Sequence, residues 1–126
     1  MNMYLSIAIG GALGACARYG MGTMALRLLG PGYPYGTLAV NVLGSLVMGV
    51  LIELMALRWS PSPELRVFLV TGFLGAFTTF STFSLDAANL FQKGAYVEAG
   101  GYILVSVVLS IGGLFAGLQL MRVILS

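Results

Sequence analysis

Apolar residues run almost unbroken along this chain, and a few helix breakers divide them. Gly30-Pro31-Gly32-Tyr33-Pro34 puts two prolines and two glycines into five residues, which no helix continues through. Ser60-Pro61-Ser62-Pro63 is a second break, and Glu64 after it suits the first turn of a new helix. Lys93-Gly94 is a third, weaker one. A helix crosses a hydrocarbon core of about 30 Å in about 20 residues, so four crossings use about 80. The pattern therefore predicts an all-α membrane protein with four transmembrane helices over about 3–29, 36–57, 64–92 and 95–124, forming one domain over residues 1–126.

Polar groups within such segments are costly, and each is a candidate for function. Thr37, Asn41 and Ser45 recur every four residues along one face of the second helix, and Tyr102, Ser106 and Ser110 do so on the fourth. Their hydroxyls and amide can donate to an anion without adding a charge, although helix-to-helix hydrogen bonding uses the same groups. The third segment, Thr71 to Ser84, is crowded with Thr, Ser, Phe and Gly, poor material for a helix interior. It predicts a third helix broken near 75–79, with backbone carbonyls exposed at membrane depth. Phe80 and Phe83 lie three apart, on adjacent parts of one face, and phenyl edges carry positive potential. Weak contacts of this kind hold an anion without trapping it, as conduction requires. Arg18, midway along the first segment, is read as facing a wet vestibule or a partner, against snorkelling to the interface. Glu53, Asp86 and Glu98 lie nearer segment ends, where headgroups or water would hold them. Gly10/Gly14 and Gly113/Gly117 have the spacing of close helix packing.

Composition narrows the classes. The chain is 59% hydrophobic and 8% charged, with no histidine, one cysteine and a net charge of +2. Ten charges cannot coat a water-facing globule of this size, and a nucleic-acid partner would need a dense basic face. Cys16 alone forms no internal disulfide, and scattered carboxylates without histidine leave acid–base or metal catalysis no residues, so an enzyme is not expected. Leu13-Gly14-Ala15-Cys16 loosely resembles a lipoprotein cleavage site, but Met1-Asn2-Met3-Tyr4 lacks basic residues, so a retained helix is expected. Four crossings would put Arg58, Arg66 and Arg122 on one side and Arg27 and Lys93, with Arg18 if it reaches, on the other. That near-balance permits insertion both ways, and with it an antiparallel homodimer; coincidence in a short chain explains it equally.

Gly10 to Tyr19, Gly36 to Ser45 and Gly72 to Ser84, the last containing Thr-Thr-Phe-Ser-Thr-Phe, resemble the Fluc/CrcB family of bacterial fluoride channels in order over nearly the whole chain. The resemblance implies a dual-topology antiparallel homodimer in the cell inner membrane that exports fluoride passively and confers fluoride resistance, with two pores at the dimer interface and a structural sodium ion at its centre. It implies that Asn41, Phe80 and Phe83 line the fluoride pathway, with Ser81 and Thr82 as hydroxyl donors and Tyr102, Ser106 and Ser110 as a polar track. Arg18 matches the arginine of the first motif, Thr37 belongs to the second, and Gly75 and Thr78 would offer backbone carbonyls to sodium. Two other readings stand beside it: a small multidrug-type exporter, which would want a carboxylate deep in a segment, and a non-conducting assembly subunit whose polar stripes only join helices.

Overall fold

The computed structural model describes residues 2–125, which form helices joined by short turns, with no strand among them. Helix α1 (Met3–Leu29) starts where Asn2 Oδ1 accepts the Leu5 N–H at 2.7 Å and ends at Gly30, whose φ of 85° only glycine adopts freely. Helix α2 (Tyr35–Leu57) follows the proline turn and ends before Ser60-Pro61-Ser62. The third stretch is composite. Ser62 caps α3 (Pro63–Val67), a π-helical stretch Phe68–Leu74 continues it, and a single turn, α4 (Gly75–Phe77), closes the first half. Thr78 and Thr79 are extended, and α5 (Phe80–Gln92) resumes the helix after them. After a turn through Gly94 (φ 81°), α6 (Tyr96–Leu125) completes the chain.

Three stretches among the described residues are long and apolar enough to cross a bilayer: Tyr35–Leu57, Pro63–Gln92 taken across its break, and Tyr96–Leu125. Helix α1, expected as a fourth, is equally long, but Arg18, Arg27 and its many glycines dilute its apolar content, and it is not among the three. The chain is a multi-pass membrane protein on this composition.

Glycines set two of the contacts between helices. Gly10 and Gly14 lay α1 directly on the carbonyls of Phe68 and Phe73, so a methyl at Gly14 would collide with backbone. Gly117 does the same between α6 and α2, where a methyl would come within 2.8 Å of the Val50 nitrogen. Gly113 is looser, since a methyl there would sit 3.3 Å from the Val42 oxygen. A small core of Phe83, Leu90, Ala99 and Tyr102 joins α5 to α6 beneath Tyr33 and Leu38. Much of the outer surface of α6, including Leu104, Val108 and Ile111, is exposed and apolar.

The two ends of the bundle are distinguishable. Arg58 donates to the Leu125 carbonyl at 2.7 Å, so the turn after α2 meets the end of α6. Residues 30–37 and Lys93 line one cavity at the opposite end.

Candidate functional site

The site is built on the break at Thr78–Thr79. Thr79 is extended, and the Asn41 side chain pairs with it as a neighbouring strand would: the Thr79 N–H donates to Asn41 Oδ1 at 2.7 Å, and Asn41 Nδ2 donates to the Thr79 carbonyl at 3.0 Å. The Thr79 hydroxyl turns the other way and caps α5 by accepting the Thr82 N–H at 3.1 Å. These bonds re-route the helical ladder. The carbonyls of Gly75 and Thr78 would ordinarily receive the amides of Thr79 and Thr82, and both amides are engaged elsewhere. The Ala76 carbonyl, freed by the same break, is met by Arg18 Nε at 3.0 Å.

Against this break lies a cleft of about 430 Å³ between α2, α5 and α6, which brings together Asn41, Phe80, Phe83, Ser106 and Ser110 with Ser45, Thr78 and Thr79. No full charge lines it. Ser106 Oγ is buried and without a hydrogen-bond partner among the described residues, an uncommon condition for a hydroxyl. Asn41 Nδ2 keeps one N–H beyond the one it gives to Thr79. The rings of Phe80 and Phe83 are 5.5 Å apart and tilted by 48°, but they are not equivalent. Phe83 is 9% exposed and packs on Tyr102 at 5.3 Å, whereas Phe80 is 78% exposed.

The other expected site residues fall elsewhere. Arg18, Thr37 and Thr82 line an adjoining cleft of about 340 Å³ that also touches Thr79. Arg18 is half-buried, facing this cleft while its Nε donates to the Ala76 carbonyl. Tyr102 is fully buried against Phe83 and outside the lining of either cleft, its hydroxyl donating to Asp86 Oδ2 at 3.2 Å. Ser81 is exposed on α5, with Oγ 3.3 Å from Thr79 Oγ1.

One carboxylate departs from the sequence reading. Glu53 is buried, not in headgroup or water, and Arg122 donates to its Oε2 at 2.9 Å and 3.1 Å. Asp86 faces a third cavity, of about 320 Å³, together with Thr37, Asn89, Lys93 and the 30–36 turn. Its spacing from Thr79 and Thr82, seven and four residues, put it on their helix face and was the available signal. In the same turn, burial, with help from Tyr35 and Glu98, raises the Tyr33 hydroxyl above its ordinary pKa, so it stays neutral at physiological pH.

Hydroxyls, one free amide N–H and phenyl rings around a break in an apolar helix define a small membrane protein with an uncharged polar cleft suited to a small anion. The sequence agrees in detail. Residues 5–118 match the model of the CrcB-like protein family, Camphor Resistance (CrcB), and the chain belongs to that family. It is 55% identical over 122 residues to a "Fluoride-specific ion channel FluC" of Rhizobium etli, covering 97% of this chain and 98% of that one. A protein of the same name from Rhodospirillum centenum is 55% identical over 122 residues, covering 97% of each chain. "Fluoride-specific ion channel FluC 1" of Nitrobacter hamburgensis is 49% identical over 120 residues, covering 95% of each.

Proposed function

We propose that this chain is a fluoride-selective channel that lets fluoride leave the bacterial cell passively across the inner membrane, protecting the cell from it. The observation that carries the reading is the cleft at the broken helix, where Asn41, Ser106 and Ser110 offer neutral donors beside Phe80 and Phe83. Relatives about half-identical along nearly their whole length bear the name of fluoride channels, which supports the choice of ion. Fluoride is small, hard and strongly hydrated, so several close donors must replace its water, and a narrow site cannot offer larger anions the same fit.

The working unit is two copies inserted antiparallel, with two pores along their shared interface. The cleft opens on a face where Phe80 is bare, which leaves a ring of the site for a second copy to cover. Helix α1, about 40 Å long, is the fourth crossing, laid against the π-helical stretch by Gly10 and Gly14. The nearly even split of Arg58, Arg66 and Arg122 against Arg27 and Lys93 leaves insertion undirected.

Sodium fits the break by donor chemistry. Hard cations take oxygen ligands, and the carbonyls of Gly75 and Thr78 are those whose usual helical donors are engaged elsewhere. Gly75 is also exposed, so both copies could contribute. Bound there, the ion would supply a fixed positive charge that holds the break open and joins the copies.

A proton-coupled exporter would need a free interior carboxylate, and both interior carboxylates have partners, Glu53 in Arg122 and Asp86 in Tyr102. The test is efflux from liposomes holding the purified protein. Fluoride release with chloride retained is expected; retention of fluoride by these liposomes would overturn the reading.

A further inference from the structure

The three cavities adjoin one another in series. The cavity at the 30–36 end shares Gly22, Leu26, Gly36 and Thr37 with the Arg18 cleft, and the Arg18 cleft shares Thr79 with the cleft of Asn41 and the phenylalanines. One side of α5 borders all three: Thr79, Thr82, Asp86, Asn89 and Lys93 recur at intervals of three, four, three and four residues, a straight line along a helix. The line starts at the break and ends at the water-facing end of the bundle, where α5 stops at the Gly94 turn.

We propose that Lys93 and Asn89 form a capture site for the anion at the outer end of this series, a reading that rests on the channel function above. Lys93 is exposed and lines the mouth, the one cation among the described residues lining this cavity. Asn89, one turn inward, offers neutral N–H donors. Asp86 follows, with Tyr102 donating to it, and then Arg18, whose Nε is committed to the Ala76 carbonyl. Charge therefore alternates along the series: positive at Lys93, negative at Asp86, positive at Arg18. A lining of cations alone would hold the anion tightly. The intervening carboxylate prevents that, so Lys93 acts on arrival and not on residence. Clefts lined by one sign of charge raise arrival rates by about tenfold or more, and a single mouth charge gives less than that.

A lysine after the last turn of a helix also complements the helix dipole. That role affects stability and is indifferent to how fluoride concentration and salt set the current. The experiment is fluoride current through the reconstituted protein in planar bilayers, at low fluoride and low ionic strength. It is then repeated with ionic strength raised by N-methylglucamine gluconate at constant sodium. At about 10 mM ionic strength, where charges act over about 30 Å, Lys93→Gln is expected to lower the current about two- to fivefold, and Lys93→Glu further. Lys93→Arg should match the parent. Near 1 M, where the range is about 3 Å, all four should converge. Arg66→Gln, which removes an equal charge outside the three cavities, should conduct like the parent throughout. Parent-like current in Lys93→Glu at low ionic strength, a loss that salt does not erase, or an equal loss in Arg66→Gln would each overturn the capture site while leaving the channel standing. A parent without fluoride current would remove both.

Discussion

Asn41 and Thr79 hold each other by two hydrogen bonds, 2.7 Å and 3.0 Å, across 38 residues of sequence. The side-chain amide stands in for the strand that the extended Thr79 lacks, which lets a helix stop and restart at membrane depth without leaving its backbone bare. Asn41→Ala strips both bonds and leaves a part-buried N–H and C=O unpaired. The expected cost is about 1–3 kcal/mol per orphaned group, read as a lower unfolding temperature from the fluorescence of Trp59, the sole tryptophan. Fluoride efflux should fall at least tenfold, because the break would no longer be held in place. Unchanged stability would show that the clasp is dispensable.

Phe80 and Phe83 differ in how they pack. Phe83→Ala removes a ring buried against Tyr102 and should cost about 3–5 kcal/mol. Phe80→Ala removes a largely exposed ring and should leave the folding of the protomer nearly unchanged. Replacing either with isoleucine keeps bulk but deletes the ring edge, and both changes should reduce fluoride flux. Equal flux in both isoleucine variants and the parent would dispose of the ring-edge account.

Much of this arrangement is legible from local chemistry. Prolines and glycines end helices by their own backbone restrictions, so the turns at 30–34 and 60–62 are visible in the sequence, as is a weakness near Gly75 and the paired threonines. The hydroxyl stripes are visible from spacing, and the structure lines one cleft with Asn41, Ser45, Ser106 and Ser110 from both. What is not legible depends on partners far along the chain. Glu53 is 69 residues from Arg122, and nothing near either announces the pair. Phe80 and Phe83 look alike by spacing, yet only Phe83 meets Tyr102 of α6 and is buried. The π-helical stretch Phe68–Leu74 has no sequence signal of comparable strength; its wider turn goes with the close approach of Gly10 and Gly14.

The glycines of α1 divide the same way. Gly14→Ala would force the Phe73 backbone away and should destabilise the protein by about 1–3 kcal/mol. Gly20 has nothing within 4 Å of where a methyl would sit, so Gly20→Ala should be neutral or add up to about 1 kcal/mol of helix stability. Thermal unfolding of the two variants side by side checks this, and equal shifts would contradict the packing described for α1.

Glu53 and Arg122 tie α2 to α6 near their shared end, with the carboxylate buried and the guanidinium 61% exposed. Removing the arginine leaves a buried charge facing apolar helices; because the guanidinium is well hydrated, the expected cost is about 1–2 kcal/mol, below that of a fully buried pair. Glu53→Leu removes the costly partner instead, and the double variant Glu53→Leu, Arg122→Ala should be more stable than Arg122→Ala alone. A double variant no more stable than Arg122→Ala would mean that the lone carboxylate is tolerated.

Orientation gives the sharpest test of the antiparallel assembly. The bundle end with Arg58 and Arg122 and the end with Arg27 and Lys93 carry similar positive charge, so two or three lysines added to the loop at 60–62 should drive every copy to insert one way. Adding them to the turn at 30–32 should drive the opposite orientation. Each variant alone should reach the membrane yet pass no fluoride, since antiparallel partners would be missing. Coexpression of the two should restore the flux, because each supplies the orientation the other lacks. Flux from either variant alone, with uniform orientation verified by protease accessibility, would mean that parallel copies or single chains suffice.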